Sequence, residues 1–351
     1  MNQTNPLGHW LHGLAEDPEV FPHQLDVFNR RLLLVRLTAA RIREAAFLDQ
    51  RALAGDEDGV WVPLAAALEA TPRNKGPVGI ILHCGHCGST LVSRLLGELP
   101  DTWVLREPLV LQSLAAEARA AGTPFARLTP SEYAGTLALA QAAYGKLPPG
   151  VRRAVVKHTS LTANLGAELL RRSSPPAVLC LSIPLADYLA AMLRDPGLRE
   201  GIRLAAGEWI HDIAAILKDD CPALGALSYG ELAALNWTAA QLAFSRASEV
   251  AGARVLAWCF DDFLADPEAR LAELAEHFGL ETSATDISQA LASPWLGRYA
   301  KDPRYPFDAV TRRRELAAAA RQYANEIQRG LDFARRLRPR LLLDGTFTQP
   351  E

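Results

Sequence analysis

Residues 78–107, VGIILHCGHCGSTLVSRLLGELPDTWVLRE, constrain this chain more than any other stretch: an apolar run, a glycine turn, a second periodic run, and a closing acid. Residues 78–82 are almost continuously apolar, the pattern of a strand covered on both faces in a parallel sheet. Beyond the turn, Leu91, Val92, Leu95, Leu96 and Leu99 recur at helical spacing. Strand therefore passes into helix through Gly85-His86-Cys87-Gly88-Ser89-Thr90 alone. The glycines permit left-handed backbone angles and close approach, and the first amides of a helix have no acceptor within it. Such amides, at the positive end of the helix dipole, make a seat for phosphate or sulfate, to which Ser89 and Thr90 add hydroxyl donors. The plainer alternative is a simple strand-to-helix turn with Ser89 as its N-cap.

The rest of the chain repeats this alternation. Strands are expected near 102–106, 154–157, 177–182 and 253–260, with helices near 109–120, 130–144, 161–171, 185–193, 207–217 and 230–250. That order predicts an α/β three-layer sandwich around a mainly parallel five-stranded sheet of P-loop type. Residues 194–228 are too long for one crossover and are expected to form a helical lid; 309–337 read as a final helix. Residues 1–76 read as an N-terminal extension or cap, with a strand over 27–37 and helices over 38–47 and 62–69, joined by a linker at 71–77 to a main domain spanning 77–340. A tail, 341–351, closes the chain, with 345–351 expected to fray.

A formal net charge of −3 over 351 residues argues against nucleic-acid binding, which needs a basic surface. The expected partner is a small molecule or a biosynthetic intermediate. Five cysteines without regular spacing do not read as a disulfide framework, so a reducing cytoplasm is expected. The start of the chain lacks the basic-then-apolar pattern of a signal peptide. The longest apolar stretch, 177–193, contains Pro184 and Asp187 and reads as strand plus helix, so no membrane segment is expected. His83-Cys84-Gly85-His86-Cys87 offers thiols and imidazoles, but no second ligand pair follows, and no metal is expected.

The turn lacks the lysine of the nucleotide triphosphate loop GxxxxGK[ST], because Gly88 runs directly into Ser89. It resembles instead the loop of the sulfotransferase family, at His86, Cys87, Gly88, Ser89, Thr90 and Leu91. Leu105-Arg106-Glu107-Pro108 is similar to the segment after that family's second strand, Val155-Val156-Lys157-His158-Thr159-Ser160 to its next strand end, and the run from Trp258 through Asp261, Asp262 and Pro267 to Leu280 to a later segment. The resemblance implies transfer of a sulfuryl group from 3′-phosphoadenosine-5′-phosphosulfate to a hydroxyl or amine, with the donor held by Gly85, His86, Cys87, Gly88, Ser89 and Thr90. Two positions depart from the family pattern. His86 stands where the family has Arg or Lys, and Ser182 and Ala190 stand where it has the arginine and serine that clamp the 3′-phosphate. Either another cation among Arg194, Arg298, Lys301 and Arg304 takes that role, or the donor differs.

Ligands of open α/β sheets lie at the carboxyl ends of the strands, where Glu107, Lys157, His158, Ser182 and Asp261 are all expected. Sulfuryl transfer needs a base, cations or amides for the sulfonate oxygens, and alignment of acceptor with leaving group. Glu107 is the first candidate base, His158 the second, and Lys157 the cation at the bridging oxygen. A basic and aromatic loop over 293–305 is a candidate to close over the donor. Two other classes stay open: a P-loop kinase or NTPase with magnesium at Asp261, and a sulfotransferase-shaped binding protein without activity.

Overall fold

The computed structural model describes residues 6–341 apart from 54, 56, 74, 75, 303 and 340. The expected fraying segment 345–351 lies outside the described residues. The chain opens with α1 (Pro6–Glu16), β1 (Val20–Asp26), β2 (Arg31–Arg36), α2 (Ala39–Glu44), β3 (Gly59–Pro63) and α3 (Leu64–Glu69). The three strands form an antiparallel sheet in the order β1-β2-β3. The sequence placed one strand over 27–37; residues 27–30 are instead the turn of a hairpin.

The main sheet is built from β4 (Gly79–His83), β5 (Thr102–Arg106), β6 (Arg153–Lys157), β7 (Ala177–Ser182) and β8 (Val255–Cys259). All are parallel, in the order β5-β6-β4-β7-β8. Every residue of β4 and β5 is buried, as their unbroken apolar runs require. Between the strands run α4 (Ser89–Leu96), α5 (Val110–Ala120), α6 (Pro130–Tyr144), α7 (Gly166–Leu170), α8 (Leu185–Leu193), α9 (Pro196–Leu217) and α10 (Tyr229–Ala251). After β8 come α11 (Phe260–Ala265), α12 (Pro267–His277), α13 (Ala284–Ala292), α14 (Ala309–Gln322) and α15 (Ala324–Leu337).

Strand parity fixes the layers. A Cβ at Gly79 would lie 2.7 Å from the ring of Phe278, just beyond α12, while the Leu82 side chain packs on Gly166 of α7. Positions 79 and 82 face opposite sides of a strand, so helices cover both faces. On the α7 side, α10 packs against α7, α8, α9 and α15. The α10–α15 crossing is close because two glycines meet: a Cβ at Gly330 would lie 2.6 Å from the Gly230 carbonyl oxygen.

The helix expected to begin at 207 begins at Pro196, where the Asp195 side chain accepts from the amides of Gly197 and Leu198. It packs on α10 and α5, and Arg119 of α5 ties it by ion pairs to Glu208 and Asp212. The single helix expected over 309–337 is two, separated by Tyr323. Of the N-terminal strands, β1 packs on α5 and α6. Lys146, just past α6, donates to the carbonyls of Asp17 at 2.6 Å and Val20 at 2.8 Å. Among the described residues no helix is long and apolar enough to cross a membrane.

Candidate anion-binding and transfer site

β4 is central, and its neighbours β6 and β7 carry the chain away on opposite sides, so the strand order reverses at its carboxyl end. The loop after it holds three left-handed residues: Gly85 (φ 89°), His86 (φ 50°) and Gly88 (φ 75°). Gly88 is the N-cap of α4 and supplies no side-chain cap; Ser89 is the first helical residue, not the cap. A Cβ at Gly88 would lie 2.1 Å from the Phe260 ring, so only glycine fits there. The amides of Gly88, Thr90 and Leu91 have no backbone acceptor among the described residues, and the buried Thr90 Oγ1 has no partner either. Several donors at this turn are thus without acceptors, at the positive end of a helix.

Beside the loop opens a cavity of about 620 Å³, the size range of nucleotide and drug-sized ligands. Its wall carries Arg194, Arg298, Lys301 and Arg312. Arg194 pairs with Glu315 at 2.6 Å. Arg312 Nη1 donates to Asp261 at 2.8 Å, while its Nη2 is buried without a partner. Arg298 and Lys301 have no side-chain partner among the described residues. Burial, and then the neighbouring Lys157, hold the Lys301 ammonium below its usual pKa. His86 lines the same space, and burial, with Lys301 and Arg194 nearby, pushes its pKa down to about 3. The imidazole is therefore neutral here, unlike the permanent cation of the family pattern.

Glu107 and Lys157 line the same cavity and meet there. They close adjacent strands, the Glu107 amide donates to the Lys157 carbonyl at 2.7 Å, and Glu107 takes a left-handed φ of 56°. A non-glycine residue held there stores about 1–2 kcal/mol of strain. The result is a close ion pair from Lys157 Nζ to Glu107 Oε1. Glu107 Oε1 is the oxygen that accepts from Lys157, and no hydrogen bond to Oε2 occurs among the described residues.

His83 completes the group. Its Nδ1 accepts from the Gly85 amide at 3.0 Å, so Nε2 carries the proton and donates to the His158 carbonyl at 2.8 Å. The 3.1 Å approach of Lys157 Nζ to that nitrogen is thus contact rather than a hydrogen bond. Burial and Lys157 keep His83 neutral, with its pKa well below the usual range. Its role is to fix the loop to the strand ends.

Several candidates are not brought to the cavity. His158 is fully buried, with Nδ1 3.1 Å from Thr162 Oγ1 and burial pushing its pKa down to about 4, so it has no path to an acceptor. Ser182 ends β7 but does not line the space; its neighbour Ile183 does. Arg304 lies outside the lining and pairs with Asp302. Cys87 does not line the space, and its thiol is buried against the Leu181 carbonyl. Asp261, the candidate magnesium ligand, is engaged by Arg312 and stands in the first turn of α11. No group of three or more His, Cys, Asp or Glu side chains placed to hold a metal occurs among the described residues. Arg106 and Arg94 do not pair with Glu107; their guanidiniums donate to backbone carbonyls of Arg43, Glu44, Ala45 and Ser93.

The sequence reading missed His83, Arg312, Phe47 and Arg51, all of which line the cavity. Arg51 stacks on Phe47 at 3.7 Å and is held bidentate by Asp49. The expected helical lid, 194–228, supplies only Arg194 to the lining; the cover comes from the segment 298–316. There Tyr299 donates to the Tyr305 carbonyl at 2.8 Å and Phe307 to that of Gly297 at 3.0 Å, bending the basic and aromatic loop over the space.

No protein-family model matches the sequence, and no curated protein matches it. Among solved structures the chain is similar to the sulfotransferase domain from the curacin biosynthetic pathway, with 14% identity and a TM-score of 0.41 over 71% of this chain and 98% of that one. A sulfotransferase from Alicyclobacillus acidocaldarius is similar at 13% identity and TM-score 0.34, over 74% and 96%. The sulfotransferase domain from the Synechococcus PCC 7002 olefin synthase is similar at 14% identity and TM-score 0.36, over 72% and 97%. All three solved chains are sulfotransferases or sulfotransferase domains.

Proposed function

We propose that this chain is a sulfotransferase that moves a sulfuryl group from 3′-phosphoadenosine-5′-phosphosulfate to a hydroxyl or amine of a small acceptor. One observation carries the reading: the unpartnered donors of the 85–91 turn and the Glu107–Lys157 pair share a single cavity. The bound donor supplies an electrophilic sulfur on a phosphate leaving group. The loop amides, with Ser89 and Thr90, hold its phosphosulfate oxygens and offset the charge that grows as the S–O bond to phosphate breaks. Glu107 Oε2 takes the acceptor proton while Oε1 stays on Lys157, which fixes the carboxylate and presents a cation to the bridging oxygen. Arg298, Lys301 and Arg312 stand in for the absent arginine and serine at Ser182 and Ala190, and Phe260 and Tyr299 offer rings for the purine. Residues 1–76 act as a cap on the main domain, since Phe47 and Arg51 reach the wall beside Glu107 and Lys157.

Calorimetry with adenosine 3′,5′-bisphosphate and with ATP plus magnesium tests this. Tight bisphosphate binding without metal is expected. ATP binding that requires magnesium, or no binding of either nucleotide, overturns the reading.

A further inference from the structure

We propose that a second cavity, between the end of α4 and the edge strand β5, is a binding site for free inorganic phosphate, held by Arg43, Arg94 and Arg106. The cavity measures about 170 Å³ and shares no lining residue with the one beside the glycine turn. Thr102, Val104 and Arg106 reach it as alternate residues of β5, Arg94 comes from the last turn of α4, and Trp295 stacks on the Arg94 guanidinium at 4.4 Å. Arg94 and Arg106 are only 4% and 3% exposed. Of the five N–H protons on each guanidinium, Arg94 spends two and Arg106 three, all on neutral backbone carbonyls. The Nε–H groups of both are buried with no acceptor among the described residues. Two neighbouring buried cations thus have donors left over and no carboxylate bonded to them, an arrangement that costs free energy until an opposite charge meets it. Burial and then the Arg94 charge push the Arg106 pKa down to about 9, with Glu98 opposing and Arg43 adding to the effect.

The chemistry of the wall selects the ion. Guanidinium forks match the oxygens of a tetrahedral oxyanion. The volume lies well under the about 300 Å³ at which drug-sized ligand sites begin, so the occupant is the free ion rather than a nucleotide or a sugar phosphate. Arg43 and Glu98 are exposed lining residues, so the ion enters between them from solvent. Glu98 Oε1 accepts from Trp295 Nε1 at 2.8 Å, which fixes that carboxylate at the rim. An ionised carboxylate can only accept. Sulfate at neutral pH has no proton to give and meets Glu98 as a like charge, whereas phosphate keeps a hydroxyl and donates it. Arg43, whose guanidinium lies 5.1 Å over the Trp103 ring, supplies the third cation from the solvent side.

This site stands apart from the proposed function, and the test keeps the two separate. The full chain is titrated by calorimetry with inorganic phosphate, and separately with sulfate, in chloride buffer at neutral pH. Wild type is expected to take up one more phosphate than Val104→Glu, whose new carboxylate supplies the counter-charge inside the cavity. The turn after β4 is the same in both proteins, so phosphate held there cancels from the comparison. Arg43→Ala changes an exposed side chain, so it tests the site even where Val104→Glu fails to fold by circular dichroism; it is expected to weaken this binding by about tenfold to a hundredfold. Sulfate is expected to bind wild type about tenfold or more weakly than phosphate, and Glu98→Gln to narrow that gap. No phosphate uptake by wild type, or the same uptake and affinity in Arg43→Ala, overturns the site. Sulfate bound as tightly as phosphate overturns the selection by Glu98. Absence of adenosine 3′,5′-bisphosphate binding in a protein that keeps the phosphate difference refutes the donor reading alone.

Discussion

Replacing Glu107 with Gln tests the ion pair at the heart of the site. Lys157 has 1% of its side chain exposed and Glu107 13%, so the two partners lose very different amounts when left alone. His83 cannot relieve Lys157, because its nearby nitrogen already carries a proton. In Glu107→Gln a nearly dry ammonium keeps an amide oxygen but no counter-charge. Breaking a buried pair from one side costs about 3–5 kcal/mol, and the retained acceptor places this case near about 3 kcal/mol. Lys157→Met leaves a carboxylate that still reaches cavity water, at a cost of about 1–2 kcal/mol. The double variant removes both charges, so its loss falls short of the sum of the singles by about 2 kcal/mol. Urea unfolding followed by circular dichroism reads this as midpoint shifts at constant slope. Strictly additive losses, or Glu107→Gln within about 0.5 kcal/mol of wild type, would refute the reasoning. The same variant is expected to keep its bisphosphate affinity, while turnover with an acceptor falls by about 10² to 10⁴. Full turnover excludes Glu107 as the base.

Arg298→Ala and Lys301→Ala each lower bisphosphate affinity by about tenfold to a hundredfold in calorimetry, because each removes a charge-assisted contact; unchanged affinity in both places the nucleotide elsewhere. Gly330→Ala drives a methyl into the Gly230 carbonyl and lowers stability by about 1–3 kcal/mol. Gly207→Ala, with open space around it on α9, is neutral or stabilising by up to about 1 kcal/mol in the same melts. Burial pushes the Lys146 pKa down to about 7, with Asp17 and Glu16 only partly opposing it. Between that value and its unfolded pKa the unfolded chain holds the extra proton, so this group makes stability rise with pH by up to about 1.4 kcal/mol per unit. Lys146→Met should flatten the wild-type slope by that amount between pH 7 and 10; an identical slope in the variant contradicts the assignment.

The main sheet was legible because β4 and β5 are buried throughout and β6 and β7 nearly so, in short apolar runs; β8 is partly exposed but equally apolar, and all five appear where the pattern put them. The glycine turn after β4 was legible because its glycines are forced by backbone angle and by the Phe260 ring. The N-terminal sheet was harder to read. β1 carries Pro22 and His23, and β3 is five residues long, so neither offers a clean two-residue period. The early start of α9 did have a signal, the Asp195-Pro196 pair at a helix entrance. What no local pattern could supply was pairing across the fold. Whether Glu107 would meet Lys157 or Arg106, and whether His83 would accept or donate, depends on strand order and on a loop amide. Arg312 and Arg51 reach the cavity from segments far from the turn, and nothing in their immediate sequence marks them.

The most direct test is a crystal structure of the protein with adenosine 3′,5′-bisphosphate. The account predicts the 5′-phosphate within hydrogen-bond distance of the amides of residues 86–90 and of Thr90 Oγ1, with the 3′-phosphate near Arg298, Lys301 or Arg312. A nucleotide bound away from the turn, or a turn whose amides stay closed on their own side chains, would contradict it.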